Sequence, residues 1–273
     1  MNLVNGVECN CIGVGDRGLA YGDGVFRTLM MRSSRPVLWK RQYEKLAADC
    51  AVLGIACPDA ATFQRDLTAI ATRHSDCVVK IIVTRGVGVR GYAIPATAAP
   101  TRIVAAAPLP EYPPTHLEHG VRIRMCRTRL AFQPALAGIK HLNRLENVLA
   151  RSEWDDPDIT EGLMCDADNN VICGTMSNLF LVKKGALLTP DLTRCGVAGV
   201  TRQRVIDCAR EIGVPARTIA IRVADVFDAD ELFLVNSVIG LWPVAALERV
   251  TWHSGQLAAR ILACLSNAQE REQ

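Results

Sequence analysis

Apolar and polar positions follow two rhythms along this chain, and the changes of rhythm predict its elements. Val25 to Met31 and Arg102 to Ala107 read as strands, and the β-branched run Cys77 to Thr84 as a buried one. Met1 to Glu8 predicts a short strand and a turn on Asn5-Gly6; Pro36 to Trp39 predicts another short strand, reached through Ser33-Ser34. Helical spacing takes over from Trp39 to Leu53, where Leu46, Cys50 and Leu53 share a face and Gly54 ends the run. It returns from Ala60 to Ala71. Arg85 to Tyr92, with three glycines, predicts a mobile or sharply turned loop.

Beyond a proline-dense stretch from Pro108 to Pro114, the pattern becomes richer in strands. Gly120 to Cys126 alternates, Glu161 to Asp166 and Val171 to Cys173 pair around Asp168-Asn169-Asn170, and Asn178 to Val182 and Glu231 to Ser237 follow as strands. Helices are predicted from Gly199 through Ile212 and from Gln256 to Leu265. The fold class expected is α+β, with a small N-terminal domain over 1–107, a linker over 108–119 and a larger C-terminal domain over 120–273.

The stretch Leu136 to Leu149 holds the centre of this pattern. An apolar run with one glycine presents Lys140 and passes into a predicted amphipathic helix, whose Leu142, Leu145, Val148 and Leu149 are expected to be buried. A lysine at the edge of so apolar a segment is costly unless its amine is solvated, paired or chemically used. Context alone favours a surface lysine at a helix start.

Composition narrows the function classes. A formal net charge of +3, spread without a basic block, argues against a nucleic-acid partner. Polar residues interrupt the N-terminus, and no window reaches the roughly 18 apolar residues of a membrane span. A cytoplasmic location is therefore expected. The eleven cysteines form an odd set without zinc-finger spacing, and most of them read as small reduced core residues. The five histidines lack metal-binding spacing and no Gly-x-Ser-x-Gly elbow occurs, so neither metal catalysis nor serine hydrolysis is expected.

Three places could carry chemistry besides Lys140. Gly196 to Thr201 runs into a helix N-terminus with a flanking hydroxyl, a form suited to phosphate, although taken alone Thr201 reads better as a plain capping or first-turn residue. Asn236-Ser237 ends a buried strand. Gly174-Thr175-Met176-Ser177-Asn178 places small and hydroxyl residues between two strands, as either a ligand platform or a bulged hairpin. A lysine, a phosphate-ready helix start and a hydroxyl-rich strand junction together suggest a pyridoxal-phosphate site.

Four motifs occur in order: Tyr21-Gly22-Asp23-Gly24-Val25-Phe26, Gly138-Ile139-Lys140-His141-Leu142-Asn143-Arg144, Gly174-Thr175-Met176-Ser177-Asn178-Leu179-Phe180, and Gly199-Val200-Thr201-Arg202. Their order and spacing resemble the fold-type-IV pyridoxal-phosphate enzymes over essentially the whole chain. Leu136 to Glu146, with Arg85-Gly86 and Arg90-Gly91-Tyr92 upstream, is most similar to the 4-amino-4-deoxychorismate lyases of that family.

The resemblance implies a homodimer with pyridoxal 5'-phosphate between two domains, Lys140 carrying the cofactor, and Val200, Thr201 and Ser237 on its phosphate. It also implies that Arg90 and Tyr92 lie over a small-molecule substrate with two carboxylates. Arginines should face that substrate, Arg90 first, with Arg27, Arg129 and Arg144 behind it. The activity implied is release of 4-aminobenzoate and pyruvate in folate biosynthesis. An amino-acid aminotransferase and a cofactor-poor homologue are the rivals.

Two positions depart from the family pattern. Lys45 stands where many relatives have a phosphate-binding Arg, and lysine lacks the bidentate fork. Cys173 stands where relatives carry the Glu that pairs with the pyridine nitrogen. Elimination that ends in an aromatic product tolerates a weaker electron sink than transamination does, so this departure favours the lyase. Either Cys173 is a thiolate, the ring nitrogen works unprotonated, or the enzyme is impaired.

Overall fold

The computed structural model describes residues 1–253 and 255–271. They form two compact units, one from Met1–Pro110 with Lys140–Asn143 and the other from Glu111–Ile139 with Arg144–Arg271. The class is α+β.

In chain order the first unit contains β1 (Asn2–Val4), β2 (Val7–Glu8), α1 (Arg17–Tyr21), β3 (Gly24–Arg32), β4 (Arg35–Pro36), α2 (Trp39–Val52), α3 (Ala60–Ala71), β5 (Cys77–Thr84) and β6 (Thr101–Ala107). Among the described residues its strands make one antiparallel sheet in the order β2-β1-β6-β5-β3-β4. Alternation on β3 turns Val25, Leu29 and Met31 inward, where Val79, Ile81 and Val83 of β5 are also buried. Leu46 of α2 and Phe63, Leu67 and Ile70 of α3 are likewise buried.

The two long helices keep their predicted spans, α3 starting on Asp59, whose carboxylate accepts the Thr62 N–H at 2.7 Å. The strand expected over Pro36 to Trp39 is only Arg35–Pro36. Leu38 adopts φ 54°, and this sharp corner sends Trp39 straight into α2.

The second unit contains α4 (Thr115–Glu118), β7 (Val121–Leu130), α5 (Leu145–Arg151), β8 (Glu161–Asp166), β9 (Val171–Gly174), β10 (Asn178–Lys183), β11 (Ala186–Pro190), α6 (Val200–Glu211), β12 (Ala216–Ile219), α7 (Val223–Phe227), β13 (Glu231–Asn236), β14 (Gly240–Leu247), β15 (Val250–Thr251) and α8 (Gln256–Arg271). The strands run β12-β11-β10-β13-β14-β7-β8-β9, with β15 on β14. Unbroken apolar runs in β10 and β13 fit strands covered on both faces. Leu179, Leu181, Leu232 and Leu234 pack to one side with Val226 and Ile221. Phe180 and Phe233, stacked 5.2 Å apart, pack to the other with Val205 of α6 and Ile261 of α8.

β11, β12 and β14 were not predicted. Pro243 lies within β14, which pairs antiparallel with β13 on one side and parallel with β7, through a bulge, on the other. β11 and β12 are short, and most of β12 is exposed.

The helix expected to begin directly after Lys140 is corrected. Residues 140–142 are held extended by hydrogen bonds to β3, and α5 starts at Leu145. Its predicted buried face is exposed within the chain: Leu145 is 75%, Val148 60% and Leu149 58% accessible, and Ala150 is the buried residue.

Candidate active site

In the first unit, Lys140 is placed by backbone pairing. The Phe26 N–H donates to the Lys140 carbonyl at 2.9 Å and the Leu142 N–H to the Gly24 carbonyl at 3.0 Å, so the strap covers the open edge of β3. Asn143 donates from Nδ2 to the Gly22 carbonyl at 3.2 Å. Gly22 ends α1 at φ 64°, and a Cβ there would collide with the Asn143 amide. The Lys140 ammonium lies 4.6 Å from the Phe26 ring centroid, a cation–π contact.

Beneath the strap sits Asp49, 1% exposed. It accepts the Lys140 N–H at 3.2 Å and the Arg27 guanidinium at 2.5 Å, and it pairs with Lys45 one turn earlier on α2. Arg27 occupies an inward position of β3, so its charge needs a buried partner. Burial lowers the Lys45 pKa, and Asp49 opposes that shift. Lys140, Lys45 and Arg27 are thus gathered on one carboxylate that the sequence reading did not single out. The inward place of Arg27 and the Lys45–Asp49 spacing were the signals for it.

Arg90 and Tyr92 are exposed on the loop after β5. That loop is latched. Arg17, 4% exposed, donates to the carbonyls of Gly91 at 2.9 Å, Tyr92 at 3.2 Å and Ala93 at 3.3 Å. Asp23 receives Arg17 at 2.9 Å and Arg85 at 2.8 Å, while Arg85 also donates to the carbonyls of Leu53 and Gly54. Burial pushes the Asp23 carboxyl upward, but hydrogen bonds from Arg85 and Arg17 outweigh it and hold the pKa below its ordinary value. Tyr21 and Tyr92 have ring centroids 5.3 Å apart.

In the second unit, three backbone segments converge. Thr201 Oγ1 in the first turn of α6 and Ser237 Oγ just after β13 are 3.2 Å apart. Asn236 donates to the Met176 carbonyl at 3.1 Å and accepts the N–H groups of Val238 and Ile239. Gly199, the residue before α6, supplies no side-chain cap, and a Cβ there would strike the Asn178 amide. The helix start, with buried Val200 and Thr201, thus has amides and two hydroxyls arranged for an anion. The loop leading to it is pinned by the Gly138 N–H to the Gly196 carbonyl at 2.9 Å and by the Ala198 N–H to the Gly138 carbonyl at 3.1 Å.

The Gly174–Ser177 turn is organised by Glu161, a residue sequence reasoning missed. Its carboxylate, 1% exposed, accepts the N–H groups of Gly162 (2.9 Å), Thr175 (3.0 Å) and Met176 (3.1 Å) and the hydroxyls of Thr175 (2.5 Å) and Ser177 (2.8 Å). Such a set satisfies a buried charge. Its signal was an acidic residue opening an otherwise apolar strand.

Cys173 is buried in a small apolar cluster with Cys126, Met164, Ile172 and Cys195. Burial, then the charge of Glu161 and the neighbouring Cys195, push its thiol up to about 12. These surroundings favour the neutral thiol over the thiolate. Arg144 is half-buried, with its pKa lowered by burial against opposition from Cys173 and Glu146. Arg129 is exposed on β7; burial raises the Cys165 thiol, and the Arg129 charge opposes that rise.

The family model described as Amino-transferase class IV matches residues 24–247. The chain is 33% identical to the aminodeoxychorismate lyase of Vibrio harveyi, covering 96% of this chain and 98% of that protein. It is 25% identical to a D-alanine aminotransferase of Listeria monocytogenes over 90% of this chain and 85% of that protein. The crystal structure of 4-amino-4-deoxychorismate lyase from Pseudomonas aeruginosa superposes with a TM-score of 0.94 at 48% identity, covering 98% of both chains.

Proposed function

Because the chain belongs to the class IV aminotransferase family, we propose that it is a pyridoxal-phosphate-dependent lyase that converts 4-amino-4-deoxychorismate to 4-aminobenzoate and pyruvate, a step of folate biosynthesis. The observation that carries this reading is the 48% identity, over 98% of both chains, with the Pseudomonas aeruginosa lyase. The residues present fit the cofactor. An α6 start without a side-chain cap, with the Thr201 and Ser237 hydroxyls 3.2 Å apart, supports a phosphate held by Val200, Thr201 and Ser237. Lys45 would add a cation toward the phosphate, and Cys173 beside the Glu161-stitched turn would be the residue offered to the pyridine nitrogen.

When bound, the cofactor supplies an electron sink for the carbanion left by proton loss at C4 of the substrate. Lys140 Nζ would hold the cofactor and yield it to the substrate amine; the amine so freed would take the C4 proton as general base and return a proton to the departing enolpyruvate. Asp49 fixes the backbone from which that amine projects. Arg90 and Tyr92, on the latched loop, meet a substrate carboxylate, and Arg129 and Arg144 are the remaining candidates for the other. Arg27 belongs with Asp49, since its guanidinium is enclosed and paired there.

A neutral thiol at Cys173 supports the lyase over the aminotransferase, because elimination toward an aromatic product needs less help from a protonated ring. No described helix is long and apolar enough to cross a membrane, and the proposed reaction is one we place in the cytoplasm. It acts as a homodimer, in which a second copy covers the exposed Leu145, Val148 and Leu149.

The deciding experiment records the visible spectrum of purified protein with and without added pyridoxal phosphate, then assays synthetic 4-amino-4-deoxychorismate. The lyase releases 4-aminobenzoate and pyruvate with no amino acceptor. A colourless protein that the cofactor cannot reconstitute, or turnover that depends on a keto acid, rejects the assignment.

A further inference from the structure

Cys208, Glu211 and Cys264 have no part in the chemistry above, yet one ligand atom from each lies within 4.8 Å of the other two. We propose that these three residues bind a thiophilic divalent cation of the zinc type and so fasten α8 to α6.

The placement follows from the helices. Cys208 and Glu211 are three residues apart on α6 and share a face, while Cys264 reaches them from α8. Cys264 Sγ is 3.4 Å from Glu211 Oε2. Zinc–sulfur and zinc–oxygen bonds of roughly 2.3 and 2.1 Å at tetrahedral angles put ligand atoms about 3.5–3.8 Å apart. The cluster therefore needs only a small closure to bind.

Charge favours the same reading. Two thiolates and a carboxylate bring three negative charges, and the cation supplies two positive ones. The third is present already: Arg204, 4% exposed, donates from Nη1 to Glu211 Oε1 at 2.7 Å and from Nη2 to Oε2 at 3.2 Å. Glu211 can keep Oε1 on Arg204 Nη1 and, giving up the longer bond from Nη2, turn Oε2 to the metal, the arrangement that orients a ligating carboxylate in metal sites. Binding displaces the two thiol protons to solvent and leaves the site formally neutral. Cys208 is buried, Cys264 half-buried and Glu211 exposed, so the cation enters from the surface and water completes its shell.

The test uses the full chain, reduced and stripped of metal, titrated anaerobically with Co²⁺ alone. One Co²⁺ per chain should give ligand-field bands of a tetrahedral thiolate site at the red end of the visible, clear of cofactor absorption, and Zn²⁺ should displace them one for one. Zn²⁺ should also raise the thermal midpoint in a concentration-dependent way. Cys264→Ser, on the half-buried ligand, should abolish the bands, as should Cys208→Ser. Glu211→Gln should weaken affinity while keeping thiolate character, and Cys9→Ser with Cys11→Ser should change nothing. Absence of the bands in a chain with native circular dichroism overturns the proposal. So does their survival in Cys264→Ser, or a reduced chain that takes up no Co²⁺ while the air-exposed chain forms a Cys208–Cys264 disulfide.

Discussion

The buried carboxylate of Asp49 accepts the backbone N–H of Lys140 at 3.2 Å, while the same group neutralises Arg27 and Lys45. One side chain on α2 thereby fixes the peptide that projects the candidate catalytic amine and satisfies an arginine buried under β3. Asp49→Asn leaves Arg27 without its counter-charge, and breaking a buried pair in this way costs about 3–5 kcal/mol. The expected result is a large drop in thermal midpoint together with a fall in kcat. Replacing both partners, Arg27→Met with Asp49→Leu, should recover part of the stability but not kcat. Equal recovery of both would leave Asp49 no role in positioning Lys140.

Lys140→Ala separates chemistry from folding. The strap is held by backbone hydrogen bonds to Phe26 and Gly24, which the substitution leaves in place. Circular dichroism and the melting curve should change little. The cofactor's visible band and its fixation by borohydride should vanish, and turnover should fall by at least ~10²–10⁴-fold, the range typical of a lost general acid–base. Retention of the band would move the cofactor's attachment elsewhere.

Much of this was legible in the chain because local signals agreed with one another. α3 and β5 have their predicted bounds, since a helix cap and a β-branched run each specify one structure. The region after Lys140 was misread for a physical reason. Helical spacing in Leu142, Leu145, Val148 and Leu149 describes a face that is apolar, not what covers it, and the edge of β3 claimed residues 140–142 as extended backbone. Asp49 and Glu161 were not singled out because most of the donors that define each buried carboxylate are distant in sequence. Glu161 draws its own from 162 and 175–177.

Glu161 supplies a graded test of the turn it organises. Glu161→Gln turns one oxygen into a donor facing other donors, and Glu161→Ala orphans five. At about 1–3 kcal/mol per orphaned buried group, the alanine variant should fail to fold or melt far lower, with the glutamine variant intermediate. In the folded glutamine variant the cofactor band should shift or bleach, because the 174–177 turn is no longer fixed. An unchanged melting curve for Glu161→Gln would show that the hydrogen bonds carry little net stability.

Cys173 predicts a pH effect with a definite sign. Its thiol, raised by burial to about 12, keeps its proton in the folded chain, whereas the unfolded chain loses it near the ordinary 9.0. Between these values the unfolded state binds fewer protons, so this residue makes stability fall as pH rises and contributes no such slope below that window. Cys173→Ala should flatten the decline in denaturation midpoints above pH 9.0 and keep measurable turnover. Cys173→Glu should instead destabilise, since it sets a second carboxylate near Glu161 in an apolar cluster. At neutral pH, thiol reagents should label exposed Cys11 and spare Cys173.

The latch on the loop bearing Arg90 and Tyr92 makes the last prediction. Arg17 spans three consecutive carbonyls, 91 to 93, with a guanidinium fork that lysine cannot reproduce. Arg17→Lys keeps the charge beside Asp23 but releases most of the loop, so the substrate must order it on binding. A loss of ~1.4 kcal/mol corresponds to a tenfold change, so KM should rise roughly tenfold while kcat moves less. Proteolysis between Arg90 and Pro95 should quicken, and added substrate should suppress it. If KM and the cleavage rate both match those of the unmodified chain, the loop is held by Tyr21 and its own turns, and Arg17 serves only to pair with Asp23.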